Sequence, residues 1–61
     1  MNNNLLFAIQ SLPMKYRDVV YLREIEELYI KDIAEKLNIL EDETKDRLIN
    51  GKLMLDEYIY E

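Results

Sequence analysis

The apolar positions of this chain recur at helical spacing. Ile30, Ile33, Ala34 and Leu37 fall at i, i+3, i+4 and i+7, which makes one face of a helix over Ile30–Leu37. Ala34 is small enough to let a second helix approach. Upstream, Tyr16, Val19, Val20, Leu22 and Ile25 form the apolar face of a helix from about Pro13 to Glu26, with Lys15, Arg17, Asp18, Arg23 and Glu24 on its polar side. Pro13 suits a first helical position and stops whatever precedes it. That is a short helix from Leu5 to about Leu12, capped by Asn4, with Leu5, Ala8 and Leu12 inward and Phe7 on or beside that face. The last element runs from about Glu41 toward Tyr60, interrupted in composition only by Gly51. No stretch alternates polar and apolar for long enough to read as a strand. The pattern predicts an all-α fold: one small four-helix helix-turn-helix domain over residues 1–61, without winged elements.

In a helix-turn-helix, the helix after the turn enters the major groove with basic and neutral polar residues leading. Here it leads with Glu41, Asp42 and Glu43, and Asp46 follows. The charge balance repeats the point. Residues 1–36 hold five basic and six acidic side chains, a net of −1, and residues 37–61 hold three basic and seven acidic, a net of −4. Acids in a first turn complement the helix dipole, worth about 0.3–1 kcal/mol. That accounts for Glu41 and Asp42 but leaves Asp46, Asp56 and Glu57 unexplained.

Composition narrows the function classes. A chain of 61 residues buries only about 60% of its unfolded surface, which leaves no room for an enclosed active site, so no enzyme is expected. There is no cysteine and no histidine, which removes disulfides, thiol nucleophiles and zinc sites together. Ser11 and Thr44 accordingly have no base partner. The run Glu41-Asp42-Glu43 lacks the alternating ligands and glycine of a calcium loop. No metal and no cofactor is expected. The apolar runs fall far short of the roughly 20 residues that span a bilayer, and the N-terminus lacks a signal-peptide pattern; a cytoplasmic location away from membranes follows as the expectation. Tyr16, Tyr21, Tyr29, Tyr58 and Tyr60 lack an interleaved basic patch, so packing with a wet hydroxyl fits them better than base stacking.

Leu12-Pro13-Met14-Lys15-Tyr16-Arg17-Asp18-Val19-Val20-Tyr21-Leu22-Arg23 resembles the opening of region 4 of bacterial sigma factors, with its Leu-Pro, an Arg four residues after that Pro, and Val-x-x-Leu. Ile33-Ala34-x-x-Leu37-x-Ile39 is similar to that region's helix-turn-helix, and Lys45-x-Arg47-Leu48 with Leu55 to its recognition helix and tail. The response-regulator type of helix-turn-helix shares Ile-Ala-x-x-Leu but lacks the Leu-Pro-x-x-x-Arg prelude. The resemblance spans roughly residues 8–55. It implies a domain that reads the upstream promoter element with its last helix and docks on the flap of RNA polymerase. Carried over position by position, it offers Lys45, Arg47, Asn50 and Lys52 to DNA.

This chain departs from that pattern. Glu43, Asp46 and Asn50 stand where Thr or Ser, Ser, and Arg are common; Glu27 and Asn38 stand where Gly is usual, and Tyr29 and Leu40 where a Ser or Thr cap is usual. Each lost cap costs about 1 kcal/mol. On the fourth helix, Thr44, Leu48, Gly51, Leu55 and Tyr58 lie on one side, to pack on the second and third helices, with Gly51 suggesting a close crossing. On nearly the opposite side Ile49, Leu53 and Tyr60 form a second apolar stripe beside Asp46, Asp56 and Glu57. Either it is a protein interface or the first helix folds back across it. Two functions are consistent with all this. One is a sigma region 4-like transcription module that recognises promoter DNA through its fourth helix in the context of the RNA polymerase core. The other is an acidic interaction regulator of the same fold that has lost useful DNA contact and binds the polymerase, an anti-sigma protein or itself as a homodimer.

Overall fold

A computed structural model describes the backbone of residues 3–60 and the side chains of residues 4–58. Four helices follow one another: α1 (Asn3–Gln10), α2 (Met14–Glu24), α3 (Ile30–Leu37) and α4 (Glu41–Tyr60). Among the described residues there is no strand. The long α4 packs on the other three helices, most extensively on α2.

The interior has two lobes. In one, Ala8, Ile9 and Leu12 meet Val20 and Leu55; in the other, Val19 and Leu22 meet Ile33. Half-buried Tyr21 and Leu48 pack against both lobes and join them. Each large apolar side chain buried this way is worth about 1.5–3 kcal/mol, which is the main stabilising term for a domain without cross-links. Thr44 is fully buried among them. Its hydroxyl donates to the Leu40 carbonyl at 2.9 Å, so the polar group enters the interior already satisfied.

The lobes are held together where α2 crosses α4. A methyl group on Gly51 would lie 2.6 Å from Val20 Cγ2 and 3.2 Å from Tyr16 Cβ. Only the absence of a side chain permits that approach, as the isolated glycine in an otherwise ordinary helix suggests.

The helix ends explain most differences from the expected boundaries. α3 matches its predicted span, but α1 starts at Asn3, so Asn4 lies inside it rather than capping it. It stops at Gln10 instead of Leu12 because a residue before proline is pushed out of the helical region. Ser11 closes the turn, its hydroxyl donating to Phe7 O at 3.0 Å. Pro13 occupies the cap position of α2 with ψ 148°, and its carbonyl accepts from Tyr16 and Arg17 N–H, both at 2.9 Å. α2 ends at Glu24, two residues early; Ile25 follows as its C-cap, still helical in backbone with its N–H on Tyr21 O, but its side chain is exposed. Phe7 is likewise exposed, and Ile9, unassigned by the periodicity, is fully buried in its place. Tyr58, expected on the packing side, is half exposed, beside a groove that it lines with Leu12, Pro13, Met54 and Glu57.

Two turns carry backbone strain. Glu27 and Asn38 both have φ 58°, the left-handed region that favours glycine. At Asn38 the conformation closes α3: its N–H reaches the Ala34 and Glu35 carbonyls, and Ile39 N–H donates to Ala34 O at 3.0 Å. Asparagine tolerates this geometry. Glu27 has no such allowance, and its turn is held instead by Leu28 N–H to Leu22 O at 3.1 Å and by Arg23 Nη1 to Leu28 O at 2.8 Å. Neither Tyr29 nor any other side chain caps α3.

Candidate nucleic-acid interface

The helix-turn-helix presents the N-terminal ends of α3 and α4, so the charges there decide what it can meet. α4 opens with Glu41, Asp42 and Glu43 in its first turn. Their carboxylates complement the helix dipole and repel phosphate. Arg47 Nε donates to Glu43 Oε2 at 2.8 Å, an i,i+4 pair with the acid N-terminal to the base. This hydrogen bond, together with the charges of Arg47 and Lys15, holds the Glu43 carboxyl below the usual carboxylate range. Arg47 is thus already occupied by a carboxylate before any phosphate arrives.

The other proposed DNA contacts diverge. Asn50 donates to Asp46 O on its own helix at 3.0 Å. Lys52 Nζ lies 3.4 Å from Glu24 Oε2 and ties α4 to the end of α2. Lys45 is exposed and has no partner among the described residues. At 3.6 residues per turn Lys45 and Arg47 stand about 160° apart around the axis, so no single phosphate strand meets both. The side chains brought together on the outward face are instead Asp42, Asp46, Ile49, Asn50, Leu53, Asp56 and Glu57, all exposed. Ile49 and Leu53 are each 62% exposed, and α1 does not cover them, since it packs against the inward Leu55. Tyr60, the third member of the expected stripe, lies outside the described side chains.

Elsewhere the cations hold the fold together. Arg17 Nη1 reaches Gln10 O at 3.5 Å across the α1–α2 corner, Lys36 pairs with Glu26 at 3.8 Å, and Lys15 lies 5.6 Å from the centre of the Tyr16 ring. Only Lys31, in the first turn of α3, and Lys45 are unengaged among the described basic side chains. Lys31 lies on α3, outside the α4 positions to which the resemblance assigns DNA contact. Its place, one residue into a helix that begins with an extended Tyr29, is the signal that would have found it.

Residues 2–45 match the family described as Sigma-70, region 4. The chain belongs to that family. No curated protein and no solved structure matches it. Sigma-70 region 4 is a DNA-binding helix-turn-helix of transcription, and domains of the family work with RNA polymerase and promoter DNA. The match covers α1 to α3 and stops five residues into α4. The family likeness therefore includes both lysines that stand free and the acidic first turn of α4 with Asp42, and stops short of the outward residues from Asp46 onward. Among the described residues no helix is long and apolar enough to cross a membrane.

Proposed function

We propose that the chain is a sigma region 4-like transcription module whose α4 addresses promoter DNA only while RNA polymerase holds the domain in place. The observation that supports this best is the state of its cations, with Lys31 and Lys45 free at the starts of α3 and α4 and the rest engaged within the fold. Two phosphate contacts contribute little affinity by themselves, because each adds only about −0.9 to the slope of log K against log salt. Tethering to a large partner supplies the remainder as effective concentration. In this reading Lys45 meets DNA directly, Arg47 and Asn50 do so after giving up Glu43 and the Asp46 carbonyl, and Lys52 remains a structural pin.

The test is binding to a promoter duplex with and without the polymerase core across a salt series. Binding should be measurable only with polymerase, rise as salt falls with a slope near −2 from this domain, and be lost in a Lys31→Ala, Lys45→Ala double variant. Glu43→Gln should strengthen it by releasing Arg47.

A second reading is favoured by the outward face of α4. With Ile49 and Leu53 exposed between carboxylates, that face suits protein better than nucleic acid. The domain would then be an interaction regulator that binds the polymerase core, an anti-sigma protein or itself. Under that reading the salt series gives no DNA binding at any salt, with or without polymerase.

A further inference from the structure

Neither the packing of the helices nor the approach to DNA uses Ile49 and Leu53. They lie one turn apart on the outward side of α4, where i and i+4 side chains are neighbours. Carboxylates close this strip at both ends: Asp42 and Asp46 before Ile49, Asp56 and Glu57 in the turn after Leu53. From Asp46 to Glu57 it runs about 16 Å at 1.5 Å per residue. Lys45 and Lys52 stand to one flank of it, and Arg47, on the other, is closed by Glu43.

We infer that this strip seats a basic amphipathic helix of a protein partner, whose apolar side chains cover Ile49 and Leu53 and whose lysines or arginines face Asp42, Asp46, Asp56 and Glu57. The inference rests on the second reading above and names the chemistry of the partner. Charge selects the occupant. DNA would bring phosphates against four carboxylates. A second copy is disfavoured by the chain's net charge of −5: paired antiparallel through Ile49 and Leu53 it would set Asp46 against Asp56, and the two lysines at the flank offset only part of the repulsion among four carboxylates. An uncharged apolar partner would find two side chains to bury, too few to offset the cost of association. A helix with an apolar seam and basic flanks meets both requirements, as helix-in-groove recognition with complementary potential does.

The test titrates the full chain with a synthetic helical peptide that carries leucines at i, i+4 and i+7 and lysines beside them. A peptide of the same composition with scrambled leucines is the control. Fluorescence anisotropy gives affinity and backbone amide shifts give the site. The expected result is saturable, salt-sensitive binding with shifts centred on residues 46–57, weakened about tenfold or more by Leu53→Asp with helical content unchanged. The sign of that variant is diagnostic, because attraction by charge alone would strengthen when a carboxylate is added. An Asp46→Asn, Asp56→Asn double variant, which leaves the apolar pair intact, should also weaken binding.

Equal binding of the scrambled peptide, undiminished binding by Leu53→Asp, or shifts on another face would overturn the inference. So would a dimer of the chain that Leu53→Asp dissolves, which would give the strip to a second copy, or a loss of helical content in that variant, which would make Leu53 core. Capture of the purified polymerase core by the same variants separates the two levels of the claim. If the peptide fails while Leu53→Asp weakens polymerase capture, the protein-contact reading stands and the basic helix falls; if neither responds, both fall.

Discussion

α4 shows opposite chemistry on its two sides. Inward it offers Thr44, fully buried, and Leu48, Gly51 and Leu55, each matched to neighbours on the other helices. Outward, over the same length of helix, it offers Asp42, Asp46, Ile49, Leu53 and Asp56, all exposed, with Glu57 exposed at the edge where α4 borders the groove of Leu12 and Pro13. The inward side is constrained by geometry, because a close-packed interior responds to one added carbon. The outward side is constrained only by what it meets. A chain can therefore keep the fold of a sigma region 4 domain while its exposed surface takes on a different charge, and membership of the family speaks for the first side more than the second.

Substitutions in the buried interior, on α3 as well as on α4, test how rigid that constraint is. The largest effect is expected from Ala34→Leu, which forces three more carbons into a buried position of α3 and should cost about 1–3 kcal/mol; an unchanged melting temperature would contradict the close packing of this motif. Gly51→Ala comes next. Alanine gains about 1 kcal/mol in helix propensity, but its methyl must displace Val20, whose branched side chain has little rotamer freedom, and Tyr16 Cβ is close behind. A net loss of about 1 kcal/mol in urea unfolding is expected, opposite in sign to propensity alone.

Away from α4, Glu27→Gly should stabilise the domain by roughly 1 kcal/mol, because it relieves a left-handed conformation that costs other residues about 1–2 kcal/mol. A lower midpoint in urea would show that the Glu27 side chain earns its place in another way. The smallest effect concerns pH. Glu43 has its carboxyl pKa lowered in the fold from 4.5 by Arg47, so the pair contributes above the unfolded value and its contribution is lost as pH falls through the folded one. Stability of the native chain should therefore drop relative to Glu43→Gln only below about pH 4.5, a difference that parallel acid titrations of the two proteins would resolve.

How much of this could be read from the residues alone depends on how local the cause is. The Ile30, Ile33, Ala34, Leu37 stripe fixed both ends of α3 because polar residues fill the positions between and no competing apolar face exists. In α1 the run Leu5, Leu6, Phe7, Ala8, Ile9 is apolar all round, so periodicity had no basis for choosing Ile9 over Phe7; Val20 and Leu55 make that choice from other helices. Glu27 and Asn38 were legible as turn positions through the resemblance, and at Asn38, a residue that tolerates it, so was the left-handed backbone; that Glu27 shares the same φ of 58° was not. The DNA-facing residues divide in the same way. The Glu43–Arg47 pair follows from its i,i+4 spacing, whereas Lys52 and Glu24 are 28 residues apart, and only the α2–α4 packing reveals that Lys52 is engaged. No local signal marks such a pair.

The crossing at Gly51 also bears on how the chain ages. Asn50 precedes that glycine, and in a mobile backbone an Asn-Gly pair cyclises readily, because the glycine amide nitrogen can swing onto the asparagine side-chain carbonyl and expel ammonia. Within α4 that swing is blocked: the amide is committed to the helix, Asn50 donates to the Asp46 carbonyl, and Val20 and Tyr16 press against the glycine. Each opening of the helix exposes the pair to this irreversible step. Water then opens the resulting succinimide, so isoaspartate and aspartate at position 50 would accumulate in proportion to the time the molecule has spent unfolded, a chemical record of its own conformational history.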